Sequence, residues 1–596
     1  MTTYTPPLRD LQFVLQELLH VEDVFRRLPA HADLDGDILQ AVITEAGRFC
    51  AEVVAPLNQV GDREGCQLDA VTHAVRTPTG FRAAYQQFVQ GGWPSLICDP
   101  AFGGQGLPRT LNQVLYEMLN SASQSWTMYA GLSHGAYDCL HAHGTPAQQA
   151  LYLPKLVSGA WTGTMCLTEP HCGTDLGLLR TKAEPTGDGQ YRLNGEKIFI
   201  SAGEHDLADN IVHLVLARLP DAPAGSKGIS LFVVPKFHVR PDGGLGERNG
   251  IFCGGLEHKM GIHGNATCQM VLQDAVGSLV GEPNRGLAAM FVMMNAARLG
   301  VGAQSVGLTE VAYQNAARYA LDRHQGRSLQ GPVAAGQPAD PIIVHADVRR
   351  LLLTARAFAE GGRALLLYTV LEIDRSEGAV DADERAAAAE RVALLTPIVK
   401  AFLTDNGWMA TSHCLQVLGG HGYVAEWGME QFVRDARINM IYEGTNAVQA
   451  LDLLGRKVLG DGGKRLQAFA GEITAFLAEA SQDARMQGFV GPLARLVQRF
   501  AKLTAALGAQ AQQQPGVVGA AAVDYLRLSG HLVFAWLWAR MAQVALQHET
   551  GEDPFYVAKL ATARFYFAKV LPEVESLFAQ LESGDEPVMA LEAALF

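Results

Sequence analysis

The sequence predicts a mainly α chain with a central β domain, an α+β fold, on three observations. Apolar residues recur at helical spacing up to about residue 160, give way to short alternating runs between Trp161 and Val280, and return to helical spacing from Gly286 onward. The changes fall at clusters of Gly, Pro, Asp and Asn, which punctuate regular structure. This pattern divides the chain into a helical arm over 1–37, a helical domain over 38–160, a β-barrel domain over 161–282, a helical bundle over 283–458 and an extra helical domain over 459–596.

Taken in order, residues 8–60 place Leu11, Leu15, Leu18 and Leu19 on one helical face, and helical segments resume from about Gly80 to Ser158. The loop FGGQGLP at 102–108 interrupts them, where its glycines either turn the chain or line a ligand. IVHLVLARL at 211–219 and GISLFVVPKF at 228–237 alternate as strands, which predicts a small antiparallel barrel or sandwich. Helical spacing from Gly286 to Leu454 is broken by GRSLQGPVAAGQPADP at 326–341, and the tail from Gly460 to Phe596 is again helical. Its run LVFAWLWARMAQVAL contains Arg540 and is shorter than the roughly 20 apolar residues of a membrane span, so none is expected.

Composition narrows the classes of function. With 48% hydrophobic and 18% charged residues the chain fits a large soluble enzyme rather than a disordered one. A net charge of -14, from 61 acidic and 47 basic residues, argues against nucleic acid or an anionic membrane as the main partner. The 9 cysteines form no C-x-x-C pair, which suits a reducing compartment and suggests no metal site. The N-terminal stretch MTTYTPPLRDLQFVLQELLHVEDVF carries acids and no long apolar core, so it fits neither a secretory signal nor a transit peptide, and cytoplasm is the expected location.

Three motifs point to chemistry. MIYEGTNAVQALDLLGRK, from Met440 to Lys457, sets the carboxylate of Glu443 directly behind an apolar run. Burial there disfavours the charged form and tunes a carboxylate toward proton abstraction near neutral pH. The same residues also fit a helix N-terminus, with Glu443 and Thr445 capping a helix that begins near Asn446. MCLTEPHCGTDLGL at 165–178 supplies small residues and hydroxyls that let backbone amides approach a flat or anionic ligand, and YRLNGEKIFISAGE, Tyr191 to Glu204, alternates as a half-exposed strand.

In this order, and with QVLGGHGYVAEWGMEQFVRDARI at 416–438 between them, the motifs resemble those of the flavin-dependent acyl-CoA dehydrogenases from about Ile38 to Lys457. The extra tail and DPIIVHADVRRLLL at 340–353 resemble a longer branch that acts on methylmercaptopropionyl-CoA and fatty acyl-CoAs. The resemblance implies FAD as cofactor, an acyl-CoA as substrate and an electron-transferring flavoprotein as acceptor. By it Glu443 removes the α-proton while the β-hydrogen leaves as hydride to flavin N5, giving a trans-2-enoyl-CoA. Some branches place the base on an earlier helix; that slot here holds Ala297, which has no acid.

The same resemblance assigns the isoalloxazine edge to Leu167 and Thr168 and to the pair Phe199 and Ser201. It assigns FAD phosphate to Arg323 and Gln325, the adenine end from a partner subunit to Gln416, Gly419 and Gly420, and the pyrophosphate to Thr445. Thr174, Asn295, Arg298 and Gly444 fall on the substrate side, with Asn295 standing where the family has Asp. Other departures are Cys172, Leu178 and Gln431 within the signatures and Gly326 and Arg327 after Gln325. A homodimer is expected, because the tail would cover the surface that a second dimer occupies in shorter, tetrameric members. Two alternatives stand beside this reading: an acyl-CoA oxidase, and a DNA-associated flavoprotein on the same scaffold, which the acidic tail SLFAQLESGDEPVMALEAALF disfavours.

Overall fold

The computed structural model describes residues 2–187, 189–548 and 553–596. The chain forms two compact units, Glu45–Gly300 and the N-terminal segment through Thr44 together with Val301–Phe596.

In the first unit, helix α1 (Arg109–His143) is two helices joined at Ser123, whose extended backbone (φ −163, ψ 106) breaks the hydrogen-bond ladder. The halves fold back on each other closely enough that a Cβ at Gly131 would lie 3.1 Å from the Tyr116 ring. The FGGQGLP loop proves to be a packed turn, since a Cβ at Gly104 would meet the Cys98 carbonyl oxygen at 1.9 Å. A capping box, in which Thr145 Oγ1 accepts from the Gln148 amide and the Gln148 side chain accepts from the Thr145 amide, starts the helix Pro146–Val157 that leads into the sheet.

The β domain comprises β1 (Trp161–Cys166), β2 (Lys182–Pro185), β3 (Gln190–Ser201), β4 (Asn210–Arg218), β5 (Ile229–Pro235), β6 (Ile251–Leu256) and β7 (Thr267–Val280). Pairings β7–β3, β3–β2, β2–β4, β4–β5 and β5–β7 close a ring, with β6 added on β7 and β1 on β4. The expected barrel is therefore present, but it is mixed rather than antiparallel. β1 runs parallel to β4, and β2 meets β4 in parallel at Lys182↔Arg218, because the excursion through β2 and β3 supplies the long crossover that parallel neighbours need. β4 and β5 are buried along almost their whole length, as strands covered on both faces must be. Buried polar residues are matched inside: His213 Nδ1 of β4 is 2.7 Å from Thr164 Oγ1 of β1, and His205 Nε2, in the loop before β4, is 2.9 Å from Thr162 Oγ1. Helix α2 (Gly286–Asp322) begins in this unit and continues past Gly300.

The second unit is helical. α3 (Ala346–Gly378) and α4 (Ala382–Val417) pack on each other, followed by α5 (Met429–Arg437) and α6 (Asn446–Leu451). The loop after α2 folds on one carboxylate: Asp340 accepts from the amides of Ser328, Val333 and Ala334 and from Arg327. The tail contributes α7 (Lys464–Ala480), α8 (Gln487–Gln513), α9 (Gly516–Gln547), α10 (Pro554–Phe565) and α11 (Glu573–Glu582). α9 is its core, with Leu532, Phe534, Trp536 and Trp538 all buried against α3, α4 and the other tail helices. A Cβ at Gly530 would overlap Phe402 of α4 at 2.2 Å, and the Phe402 and Phe534 rings lie 4.9 Å apart.

Among the described residues two helices, α2 and α9, are long and apolar enough to cross a membrane. The short run expected in the tail is thus part of a helix of 32 residues, of whose most apolar window 67% is buried inside the protein. Core burial accounts for its apolarity.

The N-terminal arm is held by charge as well as by its buried Leu11, Leu15, Leu18 and Leu19. Asp10 accepts from both Arg363 of α3 and Lys559 of α10, each fully buried. Lys559 also reaches Glu360 at 2.5 Å, and Arg363 reaches Glu310 at 2.9 Å. Burial raises the Asp10 pKa, but the two cations outweigh it and hold it at about 2. Asp10→Asn leaves two buried cations under-compensated and is expected to cost about 3–5 kcal/mol by urea unfolding at neutral pH. A group depressed in this way contributes stability above its unfolded pKa and loses it as pH falls toward 2, so the gap between wild type and variant should close between pH 4 and pH 2.

Candidate active site

The structure brings Leu167, Thr168 and Phe199 together in the first unit. Leu167 and Thr168 extend β1, where the Ile198 amide donates to Thr168 O at 2.9 Å and Lys197 Nζ to Leu167 O at 3.0 Å. Lys197 is fully buried and pairs with Glu169 at 2.8 Å. Glu169 also accepts from Thr181 Oγ1 (2.6 Å) and from the amides of Thr181 (3.0 Å) and Arg180 (2.7 Å). Burial pushes its pKa up, yet Lys197 and these donors more than offset that and keep it a carboxylate, while burial draws Lys197 down. Ligand atoms of Glu169, His171 and Cys172 lie within 4.8 Å of one another, but the ammonium beside Glu169 repels a cation and both carboxylate oxygens already have partners.

Phe199 shows how the strand presents an aromatic face. β3 and β7 slip register between Lys197↔Met270 and Ile200↔Cys268, and within that bulge Phe199 adopts φ +60. Left-handed backbone costs a non-glycine residue roughly 1–2 kcal/mol, and here it leaves a phenyl ring 59% exposed. A large apolar ring held out at that cost, beside the end of β1, suits a flat ligand such as an isoalloxazine ring. Ser201 sits half-buried at the end of β3 opposite Thr267, and Thr174 is exposed on the loop after Thr168. On α2, Asn295 is exposed and accepts from Arg298 at 3.1 Å, so these two stand together; Ala297 is half-buried.

The remaining positions lie in the second unit. Arg323 and Gln325 are exposed just after α2, with Arg323 donating to Gln325 at 3.4 Å. Gln416, Gly419 and Gly420 are exposed at the end of α4. Gly419 has φ +58, and nothing lies within 4 Å of a Cβ built at it or at Gly420, a bare surface that fits an adenine or phosphate approaching the backbone. The next residue, His421, is 2.9 Å from Tyr319 Oη and stacks on Trp427 at 4.4 Å, which ties this segment to the last turns of α2.

Glu443 is half-buried with φ +58, followed by Gly444 at φ +85 and Thr445 at the start of α6. The helix begins at Asn446 as the sequence suggests, and the Thr445 side chain makes no capping hydrogen bond to it. Gln449 instead donates to the Glu443 carbonyl at 3.3 Å, and the preceding Tyr442 hydroxyl donates to Gln304 of α2. Sequence reasoning missed Asn446, whose amide bonds Lys400, Thr404 and Asp405 of α4; the one signal was a lysine inside the apolar run PIVKAFL.

Its likeness to known proteins puts the chain among the FAD-dependent oxidoreductases that act on acyl thioesters. Family models for the N-terminal, middle and C-terminal domains of acyl-CoA dehydrogenases match residues 37–160, 164–275 and 284–459, and an acetyl-CoA dehydrogenase C-terminal-like model matches 469–592. A 3-methylmercaptopropionyl-CoA dehydrogenase of Ruegeria pomeroyi is 44% identical over 99% of this chain and 100% of its own. The broad-specificity linear acyl-CoA dehydrogenase FadE5 of Mycobacterium tuberculosis is 36% identical over the full length of both. Among solved structures, Caenorhabditis elegans ACDH-11 in complex with C11-CoA shares the fold with TM-score 0.79 at 20% identity, covering 99% of this chain and 95% of its own. A Bacillus anthracis acyl-CoA dehydrogenase complexed with FAD gives 0.73 at 20% identity over 94% and 90%. The chain belongs to the acyl-CoA dehydrogenase family, in the branch with an additional C-terminal helical domain, and its cofactor is FAD.

Phe199→Ala removes the exposed ring without emptying a core site. It should purify with less flavin and bind added FAD about 2- to 13-fold more weakly, a loss of about 0.5–1.5 kcal/mol, with thermal stability of the apoprotein unchanged. Flavin absorbance per protein and a fluorescence titration measure both.

Proposed function

We propose that this enzyme oxidises a short, unbranched acyl-CoA thioester to the trans-2-enoyl-CoA and passes the electrons to an electron-transferring flavoprotein. The observation that carries the reading is Glu443, a half-buried carboxylate held in left-handed backbone at the start of α6. Such a group takes the α-proton of a thioester if the backbone keeps it aimed. Bound FAD supplies the acceptor for the β-hydride. Leu167, Thr168, Phe199 and Ser201 would hold its ring, while Arg323, Gln325, Gln416, Gly419, Gly420 and Thr445 would hold its phosphates and adenine. Thr174, Asn295, Arg298 and Gly444 are proposed for the CoA ester. Chain shape is supported by the names of relatives matched over nearly their whole length: methylmercaptopropionyl, linear acyl and butyryl thioesters are all unbranched.

The test is anaerobic incubation of the yellow protein with acyl-CoAs, following flavin bleaching. Butyryl-CoA and 3-methylmercaptopropionyl-CoA should bleach it faster than isobutyryl-CoA. Rapid recolouring in air without a flavoprotein acceptor would move the enzyme to the oxidase class. Glu443→Gln keeps size and hydrogen bonding, so it should retain FAD and bind acyl-CoA while bleaching about 10²–10⁴-fold more slowly. Retention of most of the rate would place the base elsewhere.

A homodimer in the cytoplasm completes the proposal. Its support is an exposed apolar patch beside Gly419 and Gly420, with Tyr423 83%, Val424 44% and Trp427 38% exposed, and nine free thiols suited to a reducing compartment. Light scattering should return twice the 64.1 kDa chain mass; a tetramer mass would contradict the covering role assigned to the tail.

A further inference from the structure

The loop that carries Glu443 is anchored by a half-buried amide. Lys400, fully buried on α4, donates to Asn446 Oδ1 at 2.7 Å, and Asn446 Nδ2 donates to Asp405 Oδ1 at 2.6 Å and Thr404 Oγ1 at 2.9 Å. A cation on one side and a carboxylate on the other leave the amide a single orientation. Asn446 opens α6 three residues after Glu443, and Gln449, 1% exposed in the same helix, holds the Glu443 carbonyl. A Cβ at Gly444 would fall 2.6 Å from Gln449 Nε2, so the loop closes directly onto α6.

The tail reaches this anchor. α9 packs on α4 and α6, and its Arg527 forks onto Glu573 of α11, one arm at 3.0 Å. The same guanidinium points at Asn406 Oδ1, 3.4 Å away and adjacent in sequence to Asp405. Burial pushes the Asp405 pKa up; the Asn446 amide and the charges of Arg527, Lys400 and Arg437 resist it. These come from α6, α9, α4 itself and the end of α5, and of them only Arg527 belongs to the tail.

We propose that the C-terminal domain is part of the apparatus that aims the catalytic base: Arg527 is a positioning residue, acting through Asp405 and Asn446 on the backbone of Glu443. The inference rests on Glu443 being the base. An anionic Asp405 accepts from Asn446 and fixes the start of α6; a neutral Asp405 is a poorer acceptor, and the strained Glu443 backbone is then free to relax. The extra domain acquires a role in the reaction without touching substrate.

The test uses full-length holoenzyme and a saturating acyl-CoA that bleaches the wild type. Arg527→Met and Asn446→Ser should each slow bleaching about 10- to 100-fold, the effect of a misplaced reacting group, with FAD content and acyl-CoA affinity unchanged. In Arg527→Met the acid limb of the bleaching rate should move to higher pH, because Asp405 has lost an opposing positive charge. Arg527→Lys should recover most of the rate. If Arg527→Met fails to fold, Asp405→Asn, nearly equal in size, is judged on the same rate. Variants that lose only thermal stability, with wild-type bleaching per bound flavin and an unmoved acid limb, would overturn the proposal and leave Arg527 a structural prop. Glu443→Gln separates the two failures: wild-type bleaching there rejects the base itself, whereas an inactive Glu443→Gln beside a fully active Arg527→Met rejects only the coupling.

Discussion

The left-handed backbone at Glu443 is the constraint on which the rest of the second unit depends. A non-glycine residue persists there only if its surroundings over-determine it, since roughly 1–2 kcal/mol is released when it relaxes. The surroundings do so on both sides. Upstream, Tyr442 donates to Gln304 and its neighbour Asn439 donates to Ser305 at 3.2 Å, both acceptors on α2. Downstream, Gly444 takes a second positive φ, and Asn446 and Gln449 clamp α6 to α4 and to the loop itself. Two of these clamps, Asn439 and Gln449, are buried polar side chains, and a buried polar group is costly without its partner. Lys400 at zero exposure has little freedom to leave Asn446 unbonded, and that necessity makes the loop geometry unique.

The first unit uses the same device with different residues. Phe199 is displaced into positive φ by a one-residue slip between β3 and β7, and the register around the slip is held by the strand pairs flanking it. Beside it the Lys197–Glu169 pair is buried, an arrangement that adds little net stability but is expensive to break singly. Lys197 Nζ also bonds Leu167 O, so the pair sets where Leu167 and Thr168 stand relative to Phe199. Buried charge here specifies position more than it stabilises.

Much of this was legible in the sequence, for reasons that periodicity explains. The helical and strand blocks, the turn at FGGQGLP, the start of α6 at Asn446 and the burial of Leu532, Phe534, Trp536 and Trp538 all follow from local pattern. Strand direction does not: IVHLVLARL alternates in the same way whether its neighbour is parallel or antiparallel, and β1–β4 is parallel. The break at Ser123 was invisible because serine is an ordinary helix residue with no Pro or Gly to mark a kink. Lys400, Asp405 and Arg527 were missed because each is defined by partners more than 40 residues away in sequence. Glu443 drew notice because a carboxylate behind an apolar run is locally odd, and the other motifs in their order decided its reading.

Helix α9 illustrates why composition and environment must be separated. Its apolarity is enough for a bilayer, yet its polar residues are placed for protein partners: Arg540 donates to the Leu18 carbonyl at 3.1 Å and covers Trp536 at 4.8 Å, His531 faces Tyr566 at 3.1 Å, and Arg527 faces Glu573. The contacts to Leu18, Tyr566 and Glu573 lead to the N-terminal arm, to the segment after α10 and to α11, while the apolar faces between them fill against α3 and α4. A helix that fastens so many elements at once cannot be removed without uncovering apolar surface on each. The extra domain is therefore a shared core for the unit that holds Glu443, and its chemistry is expressed through the rigidity of that unit.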